Sequence, residues 1–201
     1  FVKEIPEPLL ALAKRFWPGP LTILLPKKSI IPDLVTSGLD QVAVRIPNNV
    51  LTLALLSKLD FPLAAPSANP FGYISPTNAQ HVEDQLGEQV AYILDGGECE
   101  IGIESTIVGM EEGELIIYRL GGLAIEDIES VVGSVKIMSH SSSNPKAPGM
   151  IKSHYAPKKC FVLHERAEFG KTLGRIGYLL FDQYLDGVDT QYQRLLSPTG
   201  D

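Results

Sequence analysis

The segment 66–77, with the sequence PSANPFGYISPT, contains three Ser and Thr hydroxyls and one amide among residues that shape turns. Proline fixes φ and glycine permits positive φ, so this loop is predicted to be sharply bent. Ser75 and Pro76 are typical of a helix N-cap followed by proline at the first helical position. Because free N–H groups at a helix start attract anions, the loop is a candidate phosphate site. A polar loop with a well-made cap is the alternative interpretation.

Two arginines could bind an anion. Arg45 lies in the apolar run VAVRIP, where it is either buried against a carboxylate or phosphate, or turned outward by strand alternation. Arg119 is the only Lys or Arg among residues 82–131, which carry thirteen Asp and Glu. It ends the predicted strand LIIY and precedes two glycines, so it could present a bidentate fork to phosphate or carboxylate. A salt bridge to a neighbouring acid is the alternative.

Further polar residues stand at predicted element ends. Ser105 and Thr106 head a predicted strand, where their hydroxyls bind a small polar ligand or simply serve turn and strand formation. His154 and Tyr155 follow a predicted linker, so they either close over a ligand or begin the next domain. The sequence has no Ser/His/Asp set, Walker-type loop or GxGxxG, and a reaction that needs a protein nucleophile is not indicated. Its His and Cys show no metal-ligand spacing.

The elements that must position these residues follow from periodicity and turn signals. Asn48 or Asn49 is predicted to cap a helix that carries Val50 to Leu56, and the turn at 111–113 is predicted to join two strands as a hairpin. Strands mixed with short helices indicate a mixed-sheet α/β domain. The other predicted helices are 6–16, 76–86 and 124–132, and the predicted strands are 21–25, 42–46, 61–65, 90–94, 105–108 and 115–118.

The chain divides into three parts. Residues 1–138 form the predicted α/β domain, and residues 139–158 have linker composition. Residues 159–201 are predicted to begin a smaller α/β domain, with strands at 161–163 and 176–181 around a helix. Forty residues are too few for a complete domain of this kind.

Bulk composition narrows the class of protein. With 201 residues, 44% hydrophobic and 20% charged, the chain is typical of a globular protein, and no apolar run is long enough to span a bilayer. Two distant cysteines and no signal peptide indicate the cytoplasm. The net charge of −7 is uneven, since residues outside 82–131 hold sixteen Lys and Arg against eleven Asp and Glu. The acidic segment disfavours binding to a phosphate backbone there.

Several motifs occur in the order and approximate spacing of the YrdC-like domain. The linker end, PGM followed by HYAP, is similar to that of the long, two-domain threonylcarbamoyl-AMP synthases of this family. The resemblance covers essentially the whole chain. The motifs that carry it are KRFWPGPLT at 14–22, VRIP at 44–47, APSAN at 65–69, EST at 104–106 and RLG at 119–121.

The resemblance implies a twisted mixed sheet with flanking helices, followed by a linker and the start of a smaller α/β domain. It also implies synthesis of threonylcarbamoyl-AMP and pyrophosphate from L-threonine, bicarbonate and ATP, with Mg²⁺ on the phosphates, for N6-threonylcarbamoyladenosine formation in tRNA. No side chain acts as a nucleophile; the protein positions two anions and stabilises charge. Arg45, Ala65 and Ser105 are implied to face the threonine or its carbamate. Ser67, Asn69, Ser75 and Arg119 are implied to hold the nucleotide, and His154 or Tyr155 to supply part of a lid over it.

The sequence departs from the family at its start, where a Lys-x-Arg element and an upstream Ser/Thr and His are expected. We therefore expect residues 1–201 to be an internal piece of the enzyme, with little synthase activity alone. Two alternatives stay open: a double-stranded RNA or tRNA-binding module, and the YrdC-like domain of a hydrogenase-maturation carbamoyltransferase. The acidic segment 82–131 disfavours the first, although weak RNA binding by the basic patches is compatible with the sequence, and the PGM…HYAP linker disfavours the second.

Overall fold

A five-stranded sheet organises the first part of the chain. The structure, a computed structural model, describes residues 1–138, 162 and 176–199. The chain separates into two compact units, Phe1–Cys160 and Phe161–Asp201. Within the first unit the helices are α1 (Glu7–Phe16), α2 (Asp33–Thr36), α3 (Val50–Leu56), α4 (Ala79–Leu86) and α5 (Ile125–Val132), and the strands are β1 (Leu21–Pro26), β2 (Gln41–Val44), β3 (Thr106–Glu111), β4 (Glu114–Arg119) and β5 (Lys136–Ile137).

The sheet is mixed, as predicted. Its strand order is β2-β1-β3-β4-β5. β1 runs antiparallel to β2 and parallel to β3, while β4 runs antiparallel to β3 and parallel to β5. Helices α1 and α5 pack on one face, where Leu12 and Ile128 join Ile23 and Leu25 in the main core. Leu24, between those two strand residues, points to the opposite face and packs with Ile107, as strand alternation requires.

Local sequence explains the elements that were predicted correctly. Asn49 caps α3, since its Oδ1 accepts the Thr52 amide at 3.0 Å. The β3–β4 turn places Glu112 at φ 50° and Gly113 at φ 84°, the pair of positive angles that a two-residue type I′ hairpin requires. The predicted helices at 6–16 and 124–132 appear as α1 and α5.

Three predictions about elements are wrong. Residues 61–65 and 90–94 are not strands, and Phe61 and Tyr92 are 56% and 93% exposed. A strand depends on a hydrogen-bonded neighbouring strand and a buried face, and no strand in the described residues pairs with either run. The cap of α4 is Asn78, not Ser75, because the Asn78 Oδ1 accepts the His81 amide at 2.9 Å. Ser75 uses its hydroxyl elsewhere, as described below.

In the second unit, β6 (Tyr178–Leu180) pairs in parallel with β7 (Gln193–Leu195). The predicted strand at 176–181 is therefore confirmed as β6. The fully buried Gln193 orders the segment between β6 and β7. Its side chain accepts a hydrogen bond from the Leu185 amide at 2.7 Å and donates one to the Val188 carbonyl at 2.8 Å. The predicted linker at 139–158 and most of the predicted strand at 161–163 lie outside the described residues. None of the helices in the described residues has the length and apolar character needed to cross a membrane.

Candidate functional site

Strand direction brings several predicted site residues to one end of the sheet. The parallel strands β1 and β3 both start there, and the antiparallel strands β2 and β4 both end there. Thr22 is the second residue of β1, and Ser105 directly precedes β3. Arg45 follows β2 and Arg119 is the last residue of β4. Two positive charges and two hydroxyls therefore lie at the same end of the sheet.

Arg119 is fixed on Ser105 by two hydrogen bonds. Its Nε donates to the Ser105 carbonyl oxygen at 3.0 Å, and its Nη2 donates to Ser105 Oγ at 3.1 Å. Ser105 Oγ also lies 2.7 Å from Thr22 Oγ1. Both hydroxyl residues are nearly buried, with exposures of 4% for Ser105 and 7% for Thr22. The guanidinium plane is thus oriented by the backbone and by a paired set of hydroxyls rather than by solvent.

Arg45 belongs to the same electrostatic region. Its Nε donates to the Gly19 carbonyl oxygen at 3.0 Å. Arg45 and Ala43 are both exposed, so the structure favours the outward-facing alternative of strand alternation, with one main-chain hydrogen bond to the side chain. Burial lowers the pKa of Arg45, the negative charge of Glu104 raises it, and the positive charge of Arg119 lowers it. The charges of Arg119 and Glu104 thus lie within electrostatic reach of the Arg45 guanidinium.

Glu104 and Thr22 are members of the site that the sequence analysis did not single out. Glu104 Oε1 accepts the Ser75 hydroxyl at 2.7 Å, and Oε2 lies 3.7 Å from Arg119 Nη2. Ser75 is therefore tied to the arginine region through this carboxylate. Glu104 lies in the motif EST and Thr22 in the motif KRFWPGPLT, both of which carry the family resemblance. Membership in these motifs is the signal that could have identified the two residues.

Close backbone packing holds the Glu104–Thr106 segment against the turn after β4. The Gly122 amide donates to the Glu104 carbonyl oxygen at 2.8 Å. A Cβ on Gly121 would lie 2.5 Å from the Thr106 nitrogen, so only glycine permits this approach. The fully buried Thr106 hydroxyl donates to the Leu123 carbonyl at 2.8 Å and accepts the Leu123 amide at 3.0 Å. Main-chain contacts and the Thr106 hydroxyl therefore fix the Glu104–Thr106 segment in place.

Thr106→Val is expected to lower the free energy of unfolding by about 2–4 kcal/mol, because valine keeps the shape but leaves two buried main-chain groups of Leu123 unpaired. Thr106→Ser keeps the hydroxyl and is expected to cost less than half as much. Urea unfolding of the three proteins measures both changes. Equal stability of the valine variant and the parent protein would contradict the role given to this hydroxyl.

The structure does not bring every predicted residue to the arginine pair. Asn69 Nδ2 donates within its own loop, to the Pro70 carbonyl at 2.9 Å and the Tyr73 carbonyl at 3.3 Å. Its Oδ1 is buried and accepts no hydrogen bond from the described part of the chain. Ala65 and Ser67 are exposed, and no hydrogen bond between described residues joins either to Arg45 or Arg119. His154 and Tyr155 lie outside the described residues.

The arrangement suits recognition of oxyanions. Guanidinium groups held by main-chain oxygens, with a neighbouring hydroxyl, match the geometry of carboxylates and phosphates. Within the described residues, no three His, Cys, Asp or Glu side chains are grouped so that they could hold a metal ion. The guanidinium and hydroxyl groups of the site are suited to orienting an anion and to stabilising its charge.

Comparison with protein families gives two matches. The family model Sua5_yciO_yrdC, described as Telomere recombination, matches residues 1–121. A second model, Sua5_C, described as the threonylcarbamoyl-AMP synthase C-terminal domain, matches residues 123–193.

Curated relatives are threonylcarbamoyl-AMP synthases. The chain is 48% identical to the protein from Pyrococcus abyssi, over 81% of this chain and 49% of that protein. It is 44% identical to the Bacillus subtilis protein, over 76% of this chain and 45% of that one. Identity to the Schizosaccharomyces pombe protein is 38%, over 95% of this chain and 49% of that protein. The chain thus spans about half the length of the curated relatives it matches.

Solved structures support the same fold. A crystal structure of P. abyssi Sua5 complexed with L-threonine superposes with a TM-score of 0.75 at 41% identity, over 90% of this chain and 49% of that chain. E. coli YciO superposes with a TM-score of 0.54 at 21% identity, over 63% of this chain and 62% of the other, and that likeness concerns the fold alone.

Proposed function

Because the chain belongs to the Sua5–YciO–YrdC family, we propose that the whole protein forms threonylcarbamoyl-AMP and pyrophosphate from L-threonine, bicarbonate and ATP. One observation carries the proposal: Arg119, bound to Ser105, lies within electrostatic reach of Arg45 at one sheet edge. Two cations at one edge suit a reaction in which a carboxylate and a triphosphate must be held side by side. The relatives named as threonylcarbamoyl-AMP synthases and the L-threonine complex of P. abyssi Sua5 support the choice of substrates.

In the proposed reaction, the amine of threonine adds to CO₂ derived from bicarbonate and loses a proton, which gives a carbamate. A carbamate oxygen then attacks the α-phosphorus of ATP, and the bond to the β-phosphate bridging oxygen breaks as pyrophosphate leaves. No protein nucleophile takes part. The protein supplies alignment of the reacting groups and stabilises negative charge on the phosphates.

The positions of Arg45, Ser105, Arg119 and Ser75 support the roles that we propose for them. We assign the threonine carboxylate to Arg45 and Ser105, because the Ser105 hydroxyl and the Arg45 guanidinium are held at the same sheet edge. Ala65 is assigned to the same ligand from the family motif alone. We assign the phosphates to Arg119 and Ser75.

The remaining nucleotide contacts come from loop 66–77 and from the linker. We assign Ser67 and Asn69 to the nucleoside, where the buried Asn69 Oδ1 is an acceptor suited to a hydroxyl or amino group. His154 and Tyr155 are assigned to a lid over ATP. Mg²⁺ enters as the counter-ion of ATP, that is, as part of the substrate.

The product is proposed to serve the machinery that makes N6-threonylcarbamoyladenosine in tRNA. A reaction that consumes ATP in a chain with few cysteines favours a cytoplasmic location. Direct RNA binding is the less favoured function, because thirteen of the acids lie in residues 82–131 with a single Arg.

Incubation of the whole protein with MgATP, L-threonine and bicarbonate tests the proposal. Pyrophosphate release is expected to require all three substrates, and mass spectrometry is expected to find threonylcarbamoyl-AMP. Pyrophosphate release that is independent of threonine would contradict it, as would tight, strongly salt-dependent tRNA binding without threonine or ATP.

Ser105→Ala is expected to lower the affinity for L-threonine about tenfold, because a hydrogen bond to a charged carboxylate contributes about 1.5 kcal/mol. Isothermal titration measures the change. Ser57→Ala is the matched control, since the Ser57 hydroxyl is exposed and donates to the Ala54 carbonyl within its own helix turn. Unchanged threonine affinity in the Ser105 variant would refute the assignment of the carboxylate.

A further inference from the structure

Glu104 joins two segments that are far apart in the sequence. Its Oε1 accepts the Ser75 hydroxyl at 2.7 Å, and its Oε2 lies 3.7 Å from Arg119 Nη2. Ser75 belongs to loop 66–77, whereas Arg119 ends β4. The side chain exposures are 29% for Glu104 and 14% for Arg119, so the pair is shielded yet open to a small ligand.

The charge of Glu104 acts on both arginines. Burial is the largest effect on the pKa of Arg45 and lowers it; the charge of Glu104 raises this pKa, and the charge of Arg119 lowers it. Two guanidinium groups and one carboxylate give this cluster a formal charge of +1. A carboxylate in that position is chemically equivalent to the carboxylate or phosphate oxyanions that the two arginines are proposed to bind.

The contacts of Arg119 differ in strength. Two hydrogen bonds to Ser105, at 3.0 and 3.1 Å, orient its guanidinium, whereas the ion pair with Glu104 is longer, at 3.7 Å. An incoming oxyanion can therefore replace the Glu104 contact and leave the Ser105 contacts intact.

We propose that Glu104 is a positioning residue with two effects: it holds loop 66–77 and Arg119 together before substrates bind, and it is an internal anion with which the substrate oxyanion competes for Arg119. The inference rests on the proposed function. It implies that Glu104 weakens the binding of anions while it improves the order of the site.

Glu104→Gln separates the two effects, because glutamine keeps an acceptor for Ser75 but removes the charge. ATP is expected to bind this variant about three- to tenfold more tightly than the parent at low salt, with the difference shrinking at high salt. Glu104→Ala also loses the acceptor for Ser75 and is expected to bind ATP more weakly than the glutamine variant. Glu114→Gln is the matched control on β4, the strand that Arg119 ends, since Glu114 forms an exposed ion pair with Lys136.

A second measurement needs no substrate. Sulfate is expected to raise the Tm of Glu104→Gln about 2 °C more than that of the parent or Glu114→Gln, relative to chloride at equal ionic strength, because it replaces the lost negative charge beside Arg119. ATP binding to Glu104→Gln that is no tighter than to the parent, or an equal sulfate shift in all three proteins, would overturn the inference. A parent protein that binds neither ATP nor L-threonine would overturn the proposed function, and the sulfate comparison would still decide the role of Glu104.

Discussion

Replacement of Arg119 by alanine is expected to lower the affinity for ATP by about 100-fold, since two charge-assisted hydrogen bonds to a phosphate contribute about 3 kcal/mol together. The side chain is held by Ser105 before any ligand arrives, so its removal deletes a preorganised donor. It also leaves Glu104 without its nearest guanidinium. Titration calorimetry with MgATP measures the loss.

Two variants serve as controls for Arg119. Arg119→Lys keeps the charge but not the planar fork, so an intermediate loss of about tenfold is expected. Arg15→Ala removes an arginine whose guanidinium lies 5.4 Å from the centre of the Phe16 ring, and ATP affinity is expected to stay within about twofold of the parent. If Arg119→Ala binds ATP as the parent does while retaining its fold by circular dichroism, the nucleotide assignment is wrong.

The second large effect is expected from Gly121→Ala. A Cβ at this position would lie 2.5 Å from the Thr106 nitrogen and closer still to the Glu104 carbonyl oxygen, and both are backbone atoms. Because strand β3 is fixed by its neighbours on both sides, the backbone cannot yield without breaking hydrogen bonds. We expect the variant to be destabilised by about 3 kcal/mol, at the upper end of overpacking effects, and its Tm to fall by about 6–12 °C.

Gly102→Ala is the matched control for this change. A Cβ on Gly102 would meet nothing within 4 Å, so its Tm is expected to stay within about 2 °C of the parent. Threonine affinity is expected to fall only in the Gly121 variant, since that change displaces the segment that carries Ser105. Similar melting temperatures for the two variants would show that the close approach is not a requirement of the fold.

Local signals were sufficient for much of the fold. The helical spacing of 6–16, the Asn49 cap and the Glu112-Gly113 turn each depend on a few neighbouring residues, and each appears as predicted. Residues 61–65 and 90–94 carry an equally good strand pattern, but strand formation also needs a partner, which the pattern does not encode. The prediction of Ser75 as the cap of α4 was wrong, since the cap is Asn78. Ser and Asn are both strong N-cap residues, so propensity alone does not distinguish the two positions.

The site was less accessible to sequence reasoning. Strand ends marked Ser105 and Arg119 as candidates, yet the link from Thr22 to Ser105 spans 83 residues and that from Ser75 to Glu104 spans 29. Such contacts depend on strand order and on loop path, which periodicity does not supply. The resemblance brought these motifs together, and the structure adds the hydrogen bonds that connect Arg119, Ser105, Glu104 and Ser75. The ligand assigned to each residue stays a prediction.

The most direct test is a crystal structure of the whole protein with L-threonine and a non-hydrolysable ATP analogue. We predict the threonine carboxylate within hydrogen-bond distance, about 3 Å, of Ser105 Oγ and the Arg45 guanidinium, with a phosphate oxygen on Arg119. Both ligands bound elsewhere, with neither guanidinium group in contact with them, would contradict the account.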